Sequence, residues 1–150
     1  MFEFKDTGRL IDGDLELVLT ERYPGNPDTG FVPAYRFEMR LAGADTKVGS
    51  IELRIGNTYH LVMYGGHIAY EVLPEHRGHR YAARACRLLF PLARHHELKR
   101  IWITCNPDNI ASARTCELAG GELAGVVDLP TDTDMYRKGE RQKRRYKIDL

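Results

Sequence analysis

Between His67 and His96 the period of the sequence changes, and that change constrains the fold more than any other feature. His67 to Leu73 (His-Ile-Ala-Tyr-Glu-Val-Leu) reads as a strand stopped by Pro74. From Tyr81 to His96 the residues Ala82, Ala85, Leu88, Leu89 and Leu92 recur at three-to-four spacing, the mark of a helix with one apolar face. Pro91 removes one backbone bond inside that helix and is expected to bend it. A strand, a short glycine-containing turn and a helix start present free backbone N–H groups and the positive end of a helix dipole. Turn amides add a concave nest of donors, and the combination suits a pyrophosphate. Arg77 and Arg80 bring charge-assisted donors to the same turn. The pattern predicts an anion site at residues 77–82, with a plain surface turn as the alternative reading.

The flanking sequence surrounds this unit with strands. Residues 14–20 form a first strand, and 23–30, with two prolines and two glycines, a loop. Residues 34–41 and 47–55 alternate with period two around a turn at 42–45, which predicts a hairpin. Tyr59 to Tyr64 is short and apolar and ends at Gly65 and Gly66. Ile101 to Cys105 is a short apolar run expected to be a buried central strand. Asn106 and Asn109 bracket a loop that offers caps to a second helix, Ile110 to Ala119, ended by Gly120 and Gly121. Residues 122–129 and 143–150 are further strands, with a polar loop at 130–140 between them. The order of elements predicts a mixed α/β or α+β sheet in one domain covering 1–150.

Composition narrows the function classes. The net charge of +1 gives no whole-protein electrostatic case for nucleic acid or membrane. No run of about 18 apolar residues is present to span a bilayer, and the first residues lack the pattern of a signal peptide. The three cysteines, Cys86, Cys105 and Cys116, match no metal-ligand spacing and are read as reduced thiols in a cytoplasmic protein.

Two blocks of the sequence resemble the GNAT acyltransferase superfamily. Its pyrophosphate signature, Gln/Arg-x-x-Gly-x-Gly/Ala, is met by Arg77 and Ala82, with Arg80 where the family usually has Gly. The second block runs from Asn109 through Ser112, Cys116 and Glu117 to Gly120 and Gly121. The chain is also similar to a small bacterial subset that shares a Tyr-Gly-Gly before the fourth strand (Tyr64, Gly65, Gly66) and an Asp-Leu-Pro loop (Asp128, Leu129, Pro130). The resemblance implies a central sheet of about seven strands with two main helices after strands 4 and 5. It also implies transfer of an acetyl group from acetyl-CoA, as cosubstrate, to a primary amine by direct attack in a ternary complex, with no metal and no covalent enzyme intermediate. Val72 and Leu73 would be main-chain partners of the pantetheine and acetyl group. The turn amides of Gly78, His79, Arg80, Tyr81 and Ala82 would hold the pyrophosphate, with Asn109 and Ser112 on the neighbouring exit. Arg80 is expected at negative φ, as at a helix start, where an arginine costs little.

The catalytic groups implied by the resemblance are a base and an acid. Glu71 is the expected base, against the alternative of a hydrogen-bonded strand carboxylate; His67 and Tyr64 are further candidates. Cys116 stands where many members carry a tyrosine that protonates the leaving thiolate, and is read either as that acid or as buried packing. His76, His79, His95 and His96 are read as surface residues.

Residues 21–33 are too few and too rich in Pro and Gly for the two helices that family members place over the acceptor pocket. An open acceptor site, or one completed by a second subunit of a homodimer, is expected, with a small-molecule or peptide amine as acceptor. The alternatives are a non-catalytic acyl-CoA-binding domain and, through Arg137, Lys138, Arg141, Lys143, Arg144 and Arg145, nucleic-acid binding.

Overall fold

A computed structural model describes residues 2–150. Eight strands form two antiparallel sheets, which with the helices make the mixed α/β fold expected. The first holds β1 (Leu10–Asp12), β2 (Leu15–Tyr23), β3 (Ala34–Leu41), β4 (Lys47–Arg54) and β5 (Ile68–Val72) in that order. The second holds β6 (Arg100–Cys105), β7 (Glu122–Asp128) and β8 (Gln142–Asp149), with β8 in the middle. Helix α1 (Tyr81–His95) connects β5 to β6, α2 (Ile110–Leu118) connects β6 to β7, and a short α3 (Asp134–Arg137) lies inside the loop expected before β8. The two main helices therefore follow the predicted fourth and fifth strands, displaced by one because β1 precedes them. No helix occupies 24–33; a single bridge between Asn26 and Phe31 shapes that loop.

The hairpin of β3 and β4 pairs Ala34 with Arg54 and Phe37 with Ile51, and its inward side chains build the core. Leu15, Tyr35, Phe37, Met39, Ile51 and Leu53 meet Ala85, Leu89 and Ala93 of α1. The period of Ala82, Ala85, Leu89 and Leu92 buries these four residues, while Leu88 stays at the edge of the stripe. Arg84 ties the start of α1 to the β1–β2 turn, with Nε 2.9 Å from Asp12 Oδ2 and one terminal nitrogen 2.7 Å from Asp14 Oδ1. The Tyr81 hydroxyl donates to Asp14 Oδ2 at 3.1 Å, so the helix start has three anchors on the turn between the first two strands.

The two sheets meet at one point. The His67 N–H donates to the Trp102 carbonyl at 2.7 Å, and the Trp102 N–H donates to His67 Nδ1 at 2.9 Å. Gly66, at φ +77, lets the chain pass there: a Cβ on it would lie 2.9 Å from the Trp102 oxygen. Beyond this clasp β5 and β6 belong to different sheets and share no ladder, so a gap opens between them toward their C-terminal ends.

Candidate active site

The N-terminus of α1 presents backbone donors that no side chain caps. The first helical bond closes from Arg84 N to Arg80 O at 3.0 Å, and no side chain caps the helix. The N–H groups of Tyr81, Ala82 and Ala83 therefore have no intrahelical acceptor. The turn before them reverses through two left-handed residues, Gly78 at φ +94 and Arg80 at φ +60. The expectation of negative φ at Arg80 is overturned: the turn requires the conformation that glycine adopts freely, and a residue with a Cβ is strained there by about 1 kcal/mol. Arg77, Gly78, His79 and Arg80 are exposed, while Tyr81 and Ala82 turn inward. Arg77 Nε donates to the Val72 carbonyl at 3.2 Å, so its guanidinium lies where the β5 edge runs into this turn.

Strand alternation decides which main-chain groups of β5 face the gap. Arg54 N donates to His67 O at 2.7 Å and Leu73 N donates to Val48 O at 2.8 Å. With Ala69 opposite Glu52 and Glu71 opposite Ser50, the odd-numbered residues direct their main chain to β4. Ile68, Tyr70 and Val72 direct theirs to the gap. Leu73 differs from expectation: its N–H is taken by β4 and its carbonyl accepts from His76 N at 2.9 Å. Val72 keeps the expected orientation, and Tyr70 joins it.

A cleft of about 740 Å³ passes through the gap. On the helix side it is lined by Tyr70, Cys105, Asn109 and Ser112. The Tyr70 hydroxyl crosses from β5 to α2, 2.6 Å from Ser112 Oγ, 3.3 Å from Ser112 O and 3.9 Å from Cys116 Sγ. Asn109 Oδ1 caps α2 by accepting from Ser112 N at 3.0 Å, and that bond aims the Ser112 side chain at Tyr70. Burial pushes the Tyr70 phenol up, keeping it protonated. Cys116 is fully buried, and its hydrogen bond with Cys105 together with burial pushes its thiol up as well. The same bond, with Ser112, Arg144 and Lys143 close by, holds Cys105 down to about 7.

The opposite face of the cleft carries Glu52, Arg54, Thr58 and Ala69, with Tyr23, Phe31 and Met135 toward its rim. Arg54 is fixed by bonds to the carbonyls of Gly65 (3.0 Å) and Gly66 (3.2 Å) and pairs with Glu52 at 3.3 Å. Phe31 is 64% exposed, and no helix at 24–33 covers this side of the cleft. Glu71 lies on the same face of β5 as Ala69 but is exposed and outside the lining; the carboxylates that line the cleft are Glu52 and Asp134. Tyr64 lines the cleft, and its carbonyl accepts from Thr104 Oγ1 at 2.7 Å.

His67 is structural in its bonding. A backbone N–H can only donate, so Nδ1 accepts from Trp102 and the ring proton sits on Nε2, which donates to the Gly56 carbonyl at 2.9 Å. Burial, aided by the Arg54 charge, lowers its pKa to about 4. Four of the six C-terminal cations have local partners: Lys143 pairs with Glu140 at 2.7 Å, Arg137 pairs with Asp134 at 2.9 Å, Arg141 lies 3.8 Å over Tyr136 and Arg145 4.0 Å over Trp102. All three cysteines are free, and among the described residues no group of His, Cys, Asp and Glu is arranged to hold a metal. No helix among them is long and apolar enough to cross a membrane.

Known structures share this architecture. An acetyltransferase of the GNAT family from Bacillus anthracis is 23% identical, with 76% of this chain and 65% of that one covered at a TM-score of 0.59. The microcin C7 self-immunity acetyltransferase MccE, solved with acetyl-CoA and AMP, is 19% identical over 78% of this chain and 61% of its own, at a TM-score of 0.61. A Vibrio cholerae protein assigned as a ribosomal-protein-serine acetyltransferase is 14% identical over 95% of this chain and 97% of its own, at a TM-score of 0.67. At these identities the likeness is one of fold, and this chain spans under two thirds of the length of the first two proteins. No curated protein matches the chain. The model of the acetyltransferase (GNAT) domain matches residues 14–122, from the turn before β2 to the first residue of β7, and the chain belongs to that family.

Proposed function

We propose that the protein is an N-acetyltransferase that moves an acetyl group from acetyl-CoA to a primary amine by direct attack in a ternary complex. The observation that carries this reading is the gap between β5 and β6. It opens just beyond the His67–Trp102 clasp, has the gap-facing main chain of Tyr70 and Val72 on one side, with the Val72 carbonyl held by Arg77, and leads to the uncapped start of α1. An extended pantetheine would add to the β5 edge as a further strand, with its pyrophosphate against the N–H groups of Gly78 to Ala82 and the Arg77 and Arg80 guanidiniums. Asn109 and Ser112 border the same slot from α2.

The amine enters from the open face. Glu52 is the carboxylate best placed to accept its proton, because it lines the cleft on the strand next to β5. Glu71 is the alternative base, one step farther out on β5. The width of the cleft and its exposed aromatic rim suit an amine carried on a peptide end or another bulky acceptor, and the Vibrio cholerae neighbour is assigned to a protein substrate of that kind. The free thiols suit a reducing compartment such as the cytoplasm.

The test is calorimetric titration with acetyl-CoA followed by thiol release with a panel of amines. Binding together with turnover supports the enzyme, and Glu52→Gln should then keep binding and lose turnover. Binding without turnover by any amine would instead favour an acyl-CoA-binding domain, the reading for which strained Arg80 and the absence of a tyrosine at Cys116 speak.

A further inference from the structure

We propose that Lys143 is a specificity residue of the acceptor site, whose ammonium donates a hydrogen bond to a carbonyl oxygen carried by the amine substrate. The acceptor is then a carbonyl-bearing amine such as a peptide end, rather than a plain alkylamine or polyamine. This rests on the transferase reading above and names its acceptor class.

Lys143 is a buried cation with one hydrogen to spare. The residue is only 8% exposed. An ammonium has three N–H donors. One reaches Asn106 Oδ1 at 2.8 Å and a second reaches Glu140 Oε1 at 2.7 Å. No acceptor among the described residues takes the third. A buried donor without a partner is costly, so the third hydrogen calls for an oxygen from the side that the protein leaves open. That side is the main cleft, which Lys143 lines. Glu140 and Gly139 line a small depression beside it, and Lys143 is not part of that depression. Because Glu140 already neutralises the ammonium, a neutral carbonyl suits the remaining hydrogen better than a second carboxylate.

Strand alternation puts this donor on the acceptor side. Cys105, on the helix side of the cleft, pairs with Arg144. Lys143, next along β8, therefore points to the opposite face, as Arg145 and its partner Thr104 do. On the other wall Tyr70 sends its hydroxyl to α2, so Ala69 and its partner Glu52 point away from the helices too. The two walls of the acceptor side thus carry opposite charges, Glu52 from β4 and Lys143 from β8. Arg54, also in the lining, is taken up by the carbonyls of Gly65 and Gly66 and by Glu52. An ammonium beside Glu52 on a chain whose carbonyl meets Lys143 is oriented at two points, whereas an alkylamine is held at one and leaves the buried donor unmet.

The experiment compares two acceptors of similar length, glycylglycinamide and hexylamine, in wild type and in Lys143→Met, which keeps the stem and removes the donor. CoA release gives kcat/KM for each, and calorimetry gives acetyl-CoA affinity. We expect the substitution to lower kcat/KM for glycylglycinamide on the order of 10-fold or more. The value for hexylamine and the acetyl-CoA affinity should stay within about 3-fold. The two amines differ in basicity, so the quantity read is the change in their ratio on substitution. The double variant Glu140→Gln with Lys143→Met removes the carboxylate left unpaired and should show the same selective loss. An equal loss for both acceptors in both variants, or no loss for either, would overturn the role of Lys143. Wild-type protein that acetylates other amines but not glycylglycinamide would overturn the acceptor class and leave the transferase standing. Wild-type protein that acetylates nothing would remove the transferase reading itself.

Discussion

Acid should loosen the joint between the two sheets, and the size of the effect follows from His67. In the folded chain the ring is fully enclosed, accepts from the Trp102 N–H and donates to Gly56 O. Protonation would put a second hydrogen on Nδ1, facing a donor that cannot turn away. The folded pKa is lowered to about 4, whereas an unfolded histidine titrates near 6.5. The unfolded chain therefore binds the proton first, and stability rises with pH across this window. The contribution is complete above about pH 7, is lost as pH falls through 6.5 toward 4, and changes no further once both states are protonated. With those two values, His67 alone removes about 2 kcal/mol between pH 7.5 and pH 5 and about 3 kcal/mol by pH 4. Urea unfolding followed by fluorescence reads this directly, because the chain's single tryptophan is Trp102, the residue bonded to His67. His96, also lowered by burial, adds to the raw slope in the same direction, so the measurement is the difference between wild type and His67→Asn. Asparagine can still accept from the Trp102 N–H but does not titrate. Equal pH slopes for the two proteins between pH 7.5 and pH 5 would refute the argument.

Other parts of the site make separate predictions. Glu52→Gln should lower kcat on the order of 100-fold with acetyl-CoA binding retained, whereas Glu71→Gln should stay within about 3-fold, as read by CoA release. Cys105 should be the first thiol alkylated by iodoacetamide, with half-maximal rate near pH 7 and protection by CoA. Cys86, pushed up to about 12 by burial, should resist until unfolding, and peptide mass mapping separates them. Arg80→Gly should relieve the left-handed strain, raising stability by about 0.5–1 kcal/mol in a thermal melt. It should also weaken acetyl-CoA binding several-fold by calorimetry, through the lost guanidinium.

The strand–turn–helix unit from β5 to α1 was legible because its signals are local. A strand stopped at Pro74, a turn at Gly78 and a stripe from Ala82 to Leu92 are each set by neighbours a few residues apart. The lack of helices between β2 and β3 was legible from a simple shortage of residues in 21–33. What the sequence hid depends on partners distant along the chain. The sign of φ at Arg80 depends on how the turn joins α1, whose first residues are anchored to Asp14 some 67 positions away. The use of the Leu73 amide depends on its register against Val48. That Glu52 lines the cleft and Glu71 does not depends on how far along the β4–β5 pair the cleft reaches, although both residues alternate with apolar neighbours in the sequence. Tyr70 could have been singled out as a polar aromatic on an otherwise apolar stretch, but only α2 folded across the gap reveals where its hydroxyl goes.

Five consecutive residues, Gly66 to Tyr70, therefore set both the opening of the gap and much of its lining. Gly66 admits the close approach of β6, and His67 closes the two sheets with a pair of hydrogen bonds. Ile68 begins the free edge, and Tyr70 reaches across to α2. Because the clasp sits at one end of the gap, a small change in angle at His67 becomes a larger change where Val72 meets the turn at 77–80. Substitutions at the clasp should then alter acetyl-CoA affinity through geometry without touching any atom of the ligand. In His67→Asn, which can keep both bonds to Trp102 but loses the Nε2 bond to the Gly56 carbonyl, a weakened acetyl-CoA affinity at pH 7.5 alongside a near-normal fold would show that the joint sets the width of the slot. Unchanged affinity would show instead that the rest of the β4–β5 ladder holds the gap open without it.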